Sequence, residues 1–338
     1  MNQSVILSGF TKSIPARKIT NDDLSKMMDT SDEWIRKRSG IETRYWVDAE
    51  TKTSSLAIDA GKKCLVALGN PRVDAVVACT LSPDYFFPGI GVQIQHGLEL
   101  GNIPAYDIRN QCCGFLYGLE MAQALVSVGR HKKVLLIGSE VHSTGLDKTT
   151  RGRDVAVLFG DGAGACIVEL EAERSSKASD SLRFIDSELH ADGKYIKELW
   201  NECPGSSAYP ERLTLEMFEE ARIYPYMNGR LVFEHAVKRM VEVSSSILNK
   251  NKLKIEDVSL LVPHQANLRI NKMVAHSLGI PVEKAFNTIQ KYGNTTSATI
   301  PIGLADALAE EKLLPGGLVL TPAFGSGFTW GAALFEVV

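Results

Sequence analysis

The stretch YDIRNQCCGFLYGLEMAQALV, residues 106–126, contains the change of pattern on which the fold prediction depends. It begins like a β-strand, and from Gly114 onward small and apolar residues recur at helical spacing. Cys112 and Cys113 therefore lie at the turn where a helix begins. Because a thiol there is close to the positive end of the helix dipole, we expect a lowered pKa and a reactive thiolate at Cys112. Buried cysteines are also common in protein cores, so this stretch alone leaves both interpretations open.

The same order of elements occurs twice along the chain. In the first half, a helix follows Cys113 and the predicted strands are 73–80, 105–108, 134–138 and 165–169. In the second half, the counterparts are a helix over 295–309 and strands over 258–263, 318–321 and 332–337. Apolar strands that alternate with helices predict a layered α/β fold. The repeated order indicates an internal duplication, with an N-terminal half at 1–172, a C-terminal half at 173–338 and a polar junction at SSKAS, 175–179.

Composition narrows the class of protein. The 338 residues are 44% hydrophobic, and 37 basic residues nearly balance 40 acidic ones, so nothing global suggests binding to nucleic acid. No apolar run approaches the ~20 residues that span a bilayer, and the start, MNQSVILSGF, lacks the pattern of a signal peptide. The six cysteines are scattered without a CxxC pair, which argues against a zinc site or a disulfide framework. We therefore expect a cytoplasmic protein with no membrane span.

Two polar residues of the second half occupy places where side chains reach a cleft. His264 directly follows a predicted buried strand in LVPHQANLRI, and Asn294 lies in a glycine-containing turn before a helix in KYGNTTSATIPIGLADAL. This turn is the counterpart of the Cys112 turn in the first half. The remaining histidines are expected to be structural: His96, His131, His142, His190, His235 and His276.

The motifs QCCGF, PHQAN and YGNTTSA, in this order and at these separations, resemble the active-site motifs of the β-ketoacyl-acyl-carrier-protein synthase III family. The resemblance implies a thiolase-like fold with αβαβα layers and an acyltransferase of fatty acid biosynthesis. In the implied reaction, Cys112 accepts an acyl group from acyl-coenzyme A. His264 and Asn294 then assist the decarboxylation of malonyl-acyl-carrier protein, and the resulting carbanion attacks the acyl-cysteine. The resemblance implies no metal or other cofactor.

The resemblance also implies where coenzyme A binds. In DTSDEWIRKRSGIETR, Trp34 is the implied platform for the adenine and Arg38 the implied phosphate contact. Arg151 is implied to face the tryptophan across the adenine. Gly229 in MNGRLVF and Asn267 in PHQAN are implied to line the path of the pantetheine arm.

Further implied roles concern the oxyanion hole and the protein partners. The backbone N–H groups of Cys112 and of Ser326, in FGSGF, are implied to form the oxyanion hole. Glycine is more usual in the family at Ser326, so the backbone conformation there is in question. Phe87 in FPGIG is implied to close the acyl pocket of a second copy, which implies a homodimer. Arg269 is implied to contact the acidic carrier protein.

Some features depart from the family, and alternatives remain open. The segment 195–226 is longer and more aromatic than its counterpart in the family, and it either reshapes the pantetheine entrance or is a surface insertion. Gln111 and Cys113 flank the nucleophile where small residues are more usual. One alternative function is acyl transfer to a different acceptor in secondary metabolism. The other is a catalytically silent homologue that binds acyl chains or carrier protein.

Overall fold

The computed structural model describes residues 4–175 and 181–338, and its elements follow the order that the sequence predicts. The strands are β1 (Val5–Ser13), β2 (Arg17–Thr20), β3 (Thr43–Trp46), β4 (Ala75–Cys79), β5 (Ala105–Ile108), β6 (Lys133–Glu140), β7 (Gly162–Leu170), β8 (Leu182–Ala191), β9 (Leu199–Trp200), β10 (Tyr226–Met227), β11 (Val258–Leu261), β12 (Leu318–Gly325) and β13 (Thr329–Val337). The expected strands are thus confirmed.

The helices include the two that the sequence predicts, one after Cys113 and one within 295–309. They are α1 (Asn21–Ser25), α2 (Asp32–Ser39), α3 (Thr53–Ala67), α4 (Ile90–Gly97), α5 (Gly114–Ser127), α6 (Arg153–Ala156), α7 (Leu215–Glu219), α8 (Gly229–Lys250), α9 (Leu268–Leu278), α10 (Ile289–Tyr292) and α11 (Thr299–Ala309). Short 3-10 turns lie at Gln111–Cys113, Ser143–Gly145, Thr150–Gly152, Glu171–Glu173, Gly193–Tyr195, Ile255–Asp257, Val282–Lys284 and Thr296–Ala298.

The main sheet has a mirrored strand order. Its strands run β11-β12-β13-β8-β1-β7-β6-β4-β5, and the centre of the mirror is the short antiparallel pairing of β1 with β8. On each side the next two pairings are antiparallel, and the outer pairings, β6 with β4 and β12 with β11, are parallel. Beyond β11, Ala285 forms a parallel bridge to Leu261, in the place that β5 occupies beside β4.

The proposed duplication accounts for this mirrored order, because each half contributes equivalent strands at equivalent places. The division into 1–172 and 173–338 stays a proposal. Most of the predicted junction SSKAS, residues 176–179, lies outside the described residues.

Apolar side chains arrange the chain in five layers, which confirms the expected layered α/β fold. Residues of α3 and α4 pack on the outer face of the first-half strands, and residues of α8 and α9 pack on the outer face of the second-half strands. Between the two sets of strands lie α5 and α11, whose apolar residues share one core with both. Burying both faces of a sheet requires such layers. The first turns of α5 and α11 are therefore brought together in the middle of the molecule.

Candidate active site

Cys112 lies in the 3-10 turn that leads into α5, as the sequence predicts. The preceding residue, Gln111, has a φ of +42°, a left-handed conformation that non-glycine residues seldom adopt. The end of β12 approaches the cysteine closely, since a Cβ at Gly325 would lie 2.6 Å from the Cβ of Cys112. Only glycine fits there. Cys113 is fully buried in the central core, and its thiol donates to the carbonyl of Thr329 at 3.4 Å, so it packs and has no access to substrate.

Two backbone N–H groups approach the sulfur of Cys112. Burial raises the pKa of the Cys112 thiol, whereas the N–H groups of Ser326 and of Cys112 itself lower it. The expectation of a lowered pKa was wrong, because loss of solvent around the thiol outweighs the start of the helix. The two donors are those implied for the oxyanion hole. Ser326 lies outside the left-handed region, and Gly327 next to it has a φ of +134°, so a serine is compatible with this loop.

The side chain of Ser326 ties the loop to the long segment 195–226. Its hydroxyl donates a hydrogen bond to the carbonyl of Leu199 in β9. Strand β9 pairs with β10, where Leu199 is opposite Met227. Two departures from the family pattern, the serine and the longer segment, are therefore in direct contact.

His264 is buried and has one hydrogen-bonded ring nitrogen. Its backbone N–H donates to the carbonyl of Pro322 in β12 at 2.9 Å, which fixes the residue at the strand end. Nδ1 lies 2.7 Å from the hydroxyl oxygen of Thr299, whereas Nε2 is buried without a partner among residues 4–175 and 181–338. Burial lowers the pKa of His264 to about 3, so the imidazole is neutral at physiological pH.

Asn294 is held from both halves of the chain. Its backbone N–H donates to the carbonyl of Leu158 at 2.8 Å, and its carbonyl accepts from the N–H of Gly160 at 3.1 Å. Its side-chain Oδ1 accepts from the N–H of Thr296 at 2.9 Å, which leaves the side-chain NH₂ as the donor for a ligand.

The three side chains are positioned by shared elements. The turn Thr296–Ala298, which follows Asn294, packs against the turn Gln111–Cys113 that contains Cys112. His264 reaches the same region through Thr299, the first residue of α11. Cysteine, histidine and asparagine thus border on one place, with two backbone N–H groups beside the sulfur. This arrangement suits thioester chemistry in which a carbonyl oxygen becomes negatively charged.

Sequence reasoning missed two residues beside this site. Glu140, at the end of β6, accepts hydrogen bonds from Thr80, Ser82 and Ser297, and burial raises its pKa to about 7. His142 was expected to be structural without a stated partner, and its Nε2 lies 2.5 Å from the hydroxyl oxygen of Thr296. A carboxylate two residues after the apolar run VLLIG was the signal that pointed to Glu140.

Three of the residues implied to bind coenzyme A lie close together: Trp34, Arg38 and Asn267. The guanidinium of Arg38 lies 4.6 Å from the ring centre of Trp34, and that of Arg153 lies 5.3 Å from it. Asn267 caps α9 and donates to the carbonyl of Arg38 at 3.0 Å. Sequence reasoning did not select Arg153, which also donates to the carbonyl of Asp29.

Arg151 lies in a cleft of about 650 Å³ whose other wall is the long segment. Its guanidinium donates to Asp147 at 2.6 Å and to the carbonyl of Glu219 at 3.0 Å. Segment residues that line the cleft include Trp200, Arg222, Tyr224 and Tyr226, and Met227 lines it just beyond the segment. A Cβ at Gly229 would meet only Met227, at 3.8 Å. The segment 195–226 is therefore the wall of a cleft beside Gly229.

The residues implied to meet protein partners are at the surface. Phe87 is 79% exposed and its neighbour Phe86 is 62% exposed. The guanidinium of Arg269 lies 5.5 Å from the ring centre of Phe233 and forms no ion pair within residues 4–175 and 181–338. Lys238 and Arg239, by contrast, both pair with Glu242.

Two family descriptions match the chain. 3-Oxoacyl-[acyl-carrier-protein (ACP)] synthase III matches residues 106–193, and its C-terminal counterpart matches residues 248–337. The chain belongs to this family. A beta-ketoacyl-[acyl-carrier-protein] synthase III of Solibacter usitatus is 40% identical over 95% of each chain, and one of Rhodobacter capsulatus is 38% identical over 99% of this chain and 100% of the relative. Membership makes the chain an acyltransferase of the condensing-enzyme type.

The structural comparison agrees with the family assignment. A crystal structure of 3-oxoacyl-[acyl-carrier-protein] synthase III from Aquifex aeolicus superposes with a TM-score of 0.86, at 38% identity, over 98% of this chain and 99% of that one. The thiolase-like fold expected from the sequence is confirmed.

Among the described residues, no group of three or more histidine, cysteine, aspartate or glutamate side chains is placed to hold a metal ion. Within the same ranges, no helix has the length and apolar character to cross a bilayer.

Proposed function

We propose that this synthase III family member catalyses the decarboxylative condensation of an acyl-coenzyme A primer with malonyl-acyl-carrier protein in fatty acid biosynthesis. The observation that carries the proposal is the pair of backbone N–H groups, from Cys112 and Ser326, beside a cysteine that borders on His264 and Asn294. Relatives that share the synthase III name match nearly the whole chain. They do not favour a different acceptor or a silent homologue.

The first half-reaction is acyl transfer to Cys112. The sulfur attacks the thioester carbonyl of acyl-coenzyme A, and the two N–H groups stabilise the oxyanion, each donor being worth about 3 kcal/mol of barrier. The carbon–sulfur bond of the thioester then breaks. The proton of Cys112 leaves with coenzyme A as its thiol.

The second half-reaction uses the two polar side chains. Nε2 of His264 and the side-chain NH₂ of Asn294 donate hydrogen bonds to the thioester carbonyl of the malonyl group. As carbon dioxide leaves, the negative charge moves to this oxygen, and the two donors stabilise the enolate. The enolate carbon attacks the acyl carbon on Cys112, and the bond between that carbon and Sγ breaks. The β-ketoacyl product leaves on the carrier protein, and the Cys112 thiolate takes a proton from solvent.

The proposal also assigns residues that bind coenzyme A. Trp34, Arg38 and Arg151 bind the nucleotide of coenzyme A, and Gly229 and Asn267 line the pantetheine path. The closeness of Arg38 to Trp34 and the hydrogen bond from Asn267 to Arg38 support this group.

The proposal also includes two protein partners, a second copy of this chain and the carrier protein. The high exposure of Phe87 supports a homodimer in which it closes the partner's acyl pocket, and the absence of an ion pair at Arg269, as far as the described residues show, supports carrier docking. Six free, buried cysteines support a cytoplasmic location, where thiols stay reduced. No metal or redox cofactor takes part in the proposed steps.

Incubation of the protein with a panel of acyl-coenzyme A thioesters, followed by intact-protein mass spectrometry, tests the first half-reaction. We expect one acyl group per chain. Addition of malonyl-acyl-carrier protein should then discharge the acyl group with release of carbon dioxide and formation of a β-ketoacyl-carrier protein. An acyl-enzyme that transfers its acyl group to an alcohol or amine, and not to the malonyl donor, would contradict the proposal.

A further inference from the structure

The turn that follows Asn294 is held by two side chains of the first half, the buried Glu140 and the largely buried His142. The hydroxyl of Ser297 lies 2.7 Å from Oε1 of Glu140, and the hydroxyl of Thr296 lies 2.5 Å from Nε2 of His142. Glu140 is fully buried, and burial lowers the pKa of His142 to about 4, so this imidazole is neutral at physiological pH. Neither side chain takes part in the reaction steps described above.

The backbone of this turn is strained. Thr296 has a φ of +50°, a left-handed conformation that is unfavourable for a β-branched residue. Such a conformation costs about 1–3 kcal/mol and persists only where surrounding contacts enforce it. His142 contacts Thr296 itself, and Glu140 contacts the next residue, Ser297. These contacts can therefore hold the strained conformation.

The strained turn is the second-half equivalent of the nucleophile turn. In each, a left-handed residue begins a 3-10 turn that leads into a central helix, with φ of +42° at Gln111 and +50° at Thr296. Ser297 therefore occupies the position that corresponds to Cys112. In the first half this position carries the nucleophile. In the second half it carries a hydrogen bond to Glu140.

Both polar catalytic side chains depend on the position of Thr296. Its N–H donates to Oδ1 of Asn294 at 2.9 Å. Its carbonyl accepts from Thr299, whose hydroxyl also contacts Nδ1 of His264 at 2.7 Å. A shift of Thr296 would therefore move the donors on Asn294 and His264 together.

We propose that Glu140 and His142 are positioning residues that hold the Thr296–Ser297 turn in its strained conformation. Through this turn they fix Asn294 and His264 in the geometry needed for decarboxylation. The expected effect on decarboxylation rests on the proposed function. The expected effect on the conformation of the turn does not, and it can be measured independently.

A matched pair of serine variants separates positioning from general stability. Ser297→Ala removes a hydrogen bond to Glu140 from the turn, and it retains the Cβ that lies against Gly114. Ser82→Ala is the control, because it removes a hydrogen bond of 2.6 Å to the same carboxylate from a loop of the first half. His142→Phe keeps an aromatic ring beside Phe159 and removes the bond to Thr296.

The kinetic readout is the ratio of the two half-reactions. We expect Ser297→Ala and His142→Phe each to slow carbon dioxide release from malonyl-carrier protein about tenfold, with acyl loading changed less than about twofold and KM for the malonyl donor retained. Ser82→Ala should keep the parent's ratio. Equal loss of both half-reactions in Ser297→Ala, or the same loss in Ser82→Ala, would overturn a positioning role.

A structural readout keeps the proposal testable even if the protein releases no carbon dioxide. In a crystal structure of the Ser297→Ala, His142→Phe double variant, Thr296 should leave the left-handed region and its bond to Asn294 should be broken. The Ser82→Ala structure should retain both. An unchanged turn in the double variant would refute the proposal, and failure of the parent to decarboxylate would refute the proposed function alone.

Discussion

Thr299, the first residue of α11, places its hydroxyl oxygen 2.7 Å from Nδ1 of His264. The same hydroxyl lies 3.0 Å from the carbonyl of Thr296, but that carbonyl also accepts the backbone N–H of Thr299. Because the N–H already supplies one hydrogen bond to this carbonyl, we infer that the hydroxyl donates its single hydrogen to Nδ1 of His264. In the neutral imidazole, the ring hydrogen is then on Nε2, the nitrogen that is buried without a partner in the described parts of the chain. A donor at Nε2 is what the proposed decarboxylation requires.

Replacement of Thr299 by alanine should therefore slow decarboxylation. Without the hydroxyl, nothing favours the tautomer with hydrogen on Nε2, and we expect carbon dioxide release to fall about tenfold while acyl loading is retained. Thr299→Ser is the matched control and should keep most of the activity. Nitrogen-15 chemical shifts of His264 should report the Nε2–H tautomer in the parent. Observation of the Nδ1–H tautomer there would contradict this assignment.

Cys112 alone should form the acyl-enzyme. Cys112→Ala should abolish acyl loading, because the sulfur beside the two N–H donors is removed. Cys113→Ala should leave loading largely intact, at a stability cost of about 1 kcal/mol for the lost core contacts. Peptide mapping by mass spectrometry checks the site. Finding the acyl group on Cys113 would disprove the assignment.

His264 and Asn294 should act mainly in the second half-reaction. Their alanine variants should still acquire an acyl group from acyl-coenzyme A but release carbon dioxide at least about a hundredfold more slowly, because each loses a donor to the enolate oxygen. Single-turnover assays of each half-reaction measure this difference. A comparable loss of both would show that the division of labour is wrong.

The burial of His264 should make folding stability depend on pH. Its pKa is lowered to about 3 in the folded protein, whereas an unfolded histidine titrates near ~6.5. Above ~6.5 both states are neutral, and as pH falls below it only the unfolded state gains the proton. This residue therefore destabilises the folded state by about 1.4 kcal/mol per pH unit, until the folded pKa is reached.

Urea unfolding at several pH values between about 7.5 and 4.5 measures this effect. Through packing, His264→Ala changes the free energy of unfolding by an amount that does not depend on pH. On acidification, the free energy of unfolding of the variant should fall less steeply than that of the parent, by the slope that corresponds to about one proton. Parallel curves for parent and variant would show that His264 gains its proton in the folded state at about the same pH as in the unfolded state, and would contradict the lowered pKa.

Arg269 should contribute to carrier-protein docking. Carrier proteins of this family's pathway are acidic, so Arg269→Glu should weaken use of malonyl-carrier protein about tenfold at low salt, with a smaller effect at high salt. Acyl loading from acyl-coenzyme A should be unchanged. Lys62→Glu on α3, in the outer layer of the other half, makes the same change in net charge and should have no effect. Undiminished use of malonyl-carrier protein by Arg269→Glu at low salt would exclude this docking site.

The sequence by itself was sufficient for the strands and helices that it predicted and for the places of the three candidate catalytic residues. The Cys112 turn, the strand end before His264 and the turn at Asn294 are each defined by residues within a few positions of one another, so local pattern and motif spacing locate them. The duplicated order of elements likewise indicated the layered fold, because each strand and helix carries its own apolar pattern.

Only the tertiary structure decided how these positions are supported. The bond from Ser297 to Glu140 joins residues 157 apart, and the bond from Ser326 to Leu199 joins residues 127 apart, so no local pattern predicts either. The direction of the Cys112 pKa shift also depended on burial, which is set by the packing of both halves around the thiol. Contacts between distant segments, and the solvent they exclude, are properties of the folded chain and leave no periodic trace in the sequence.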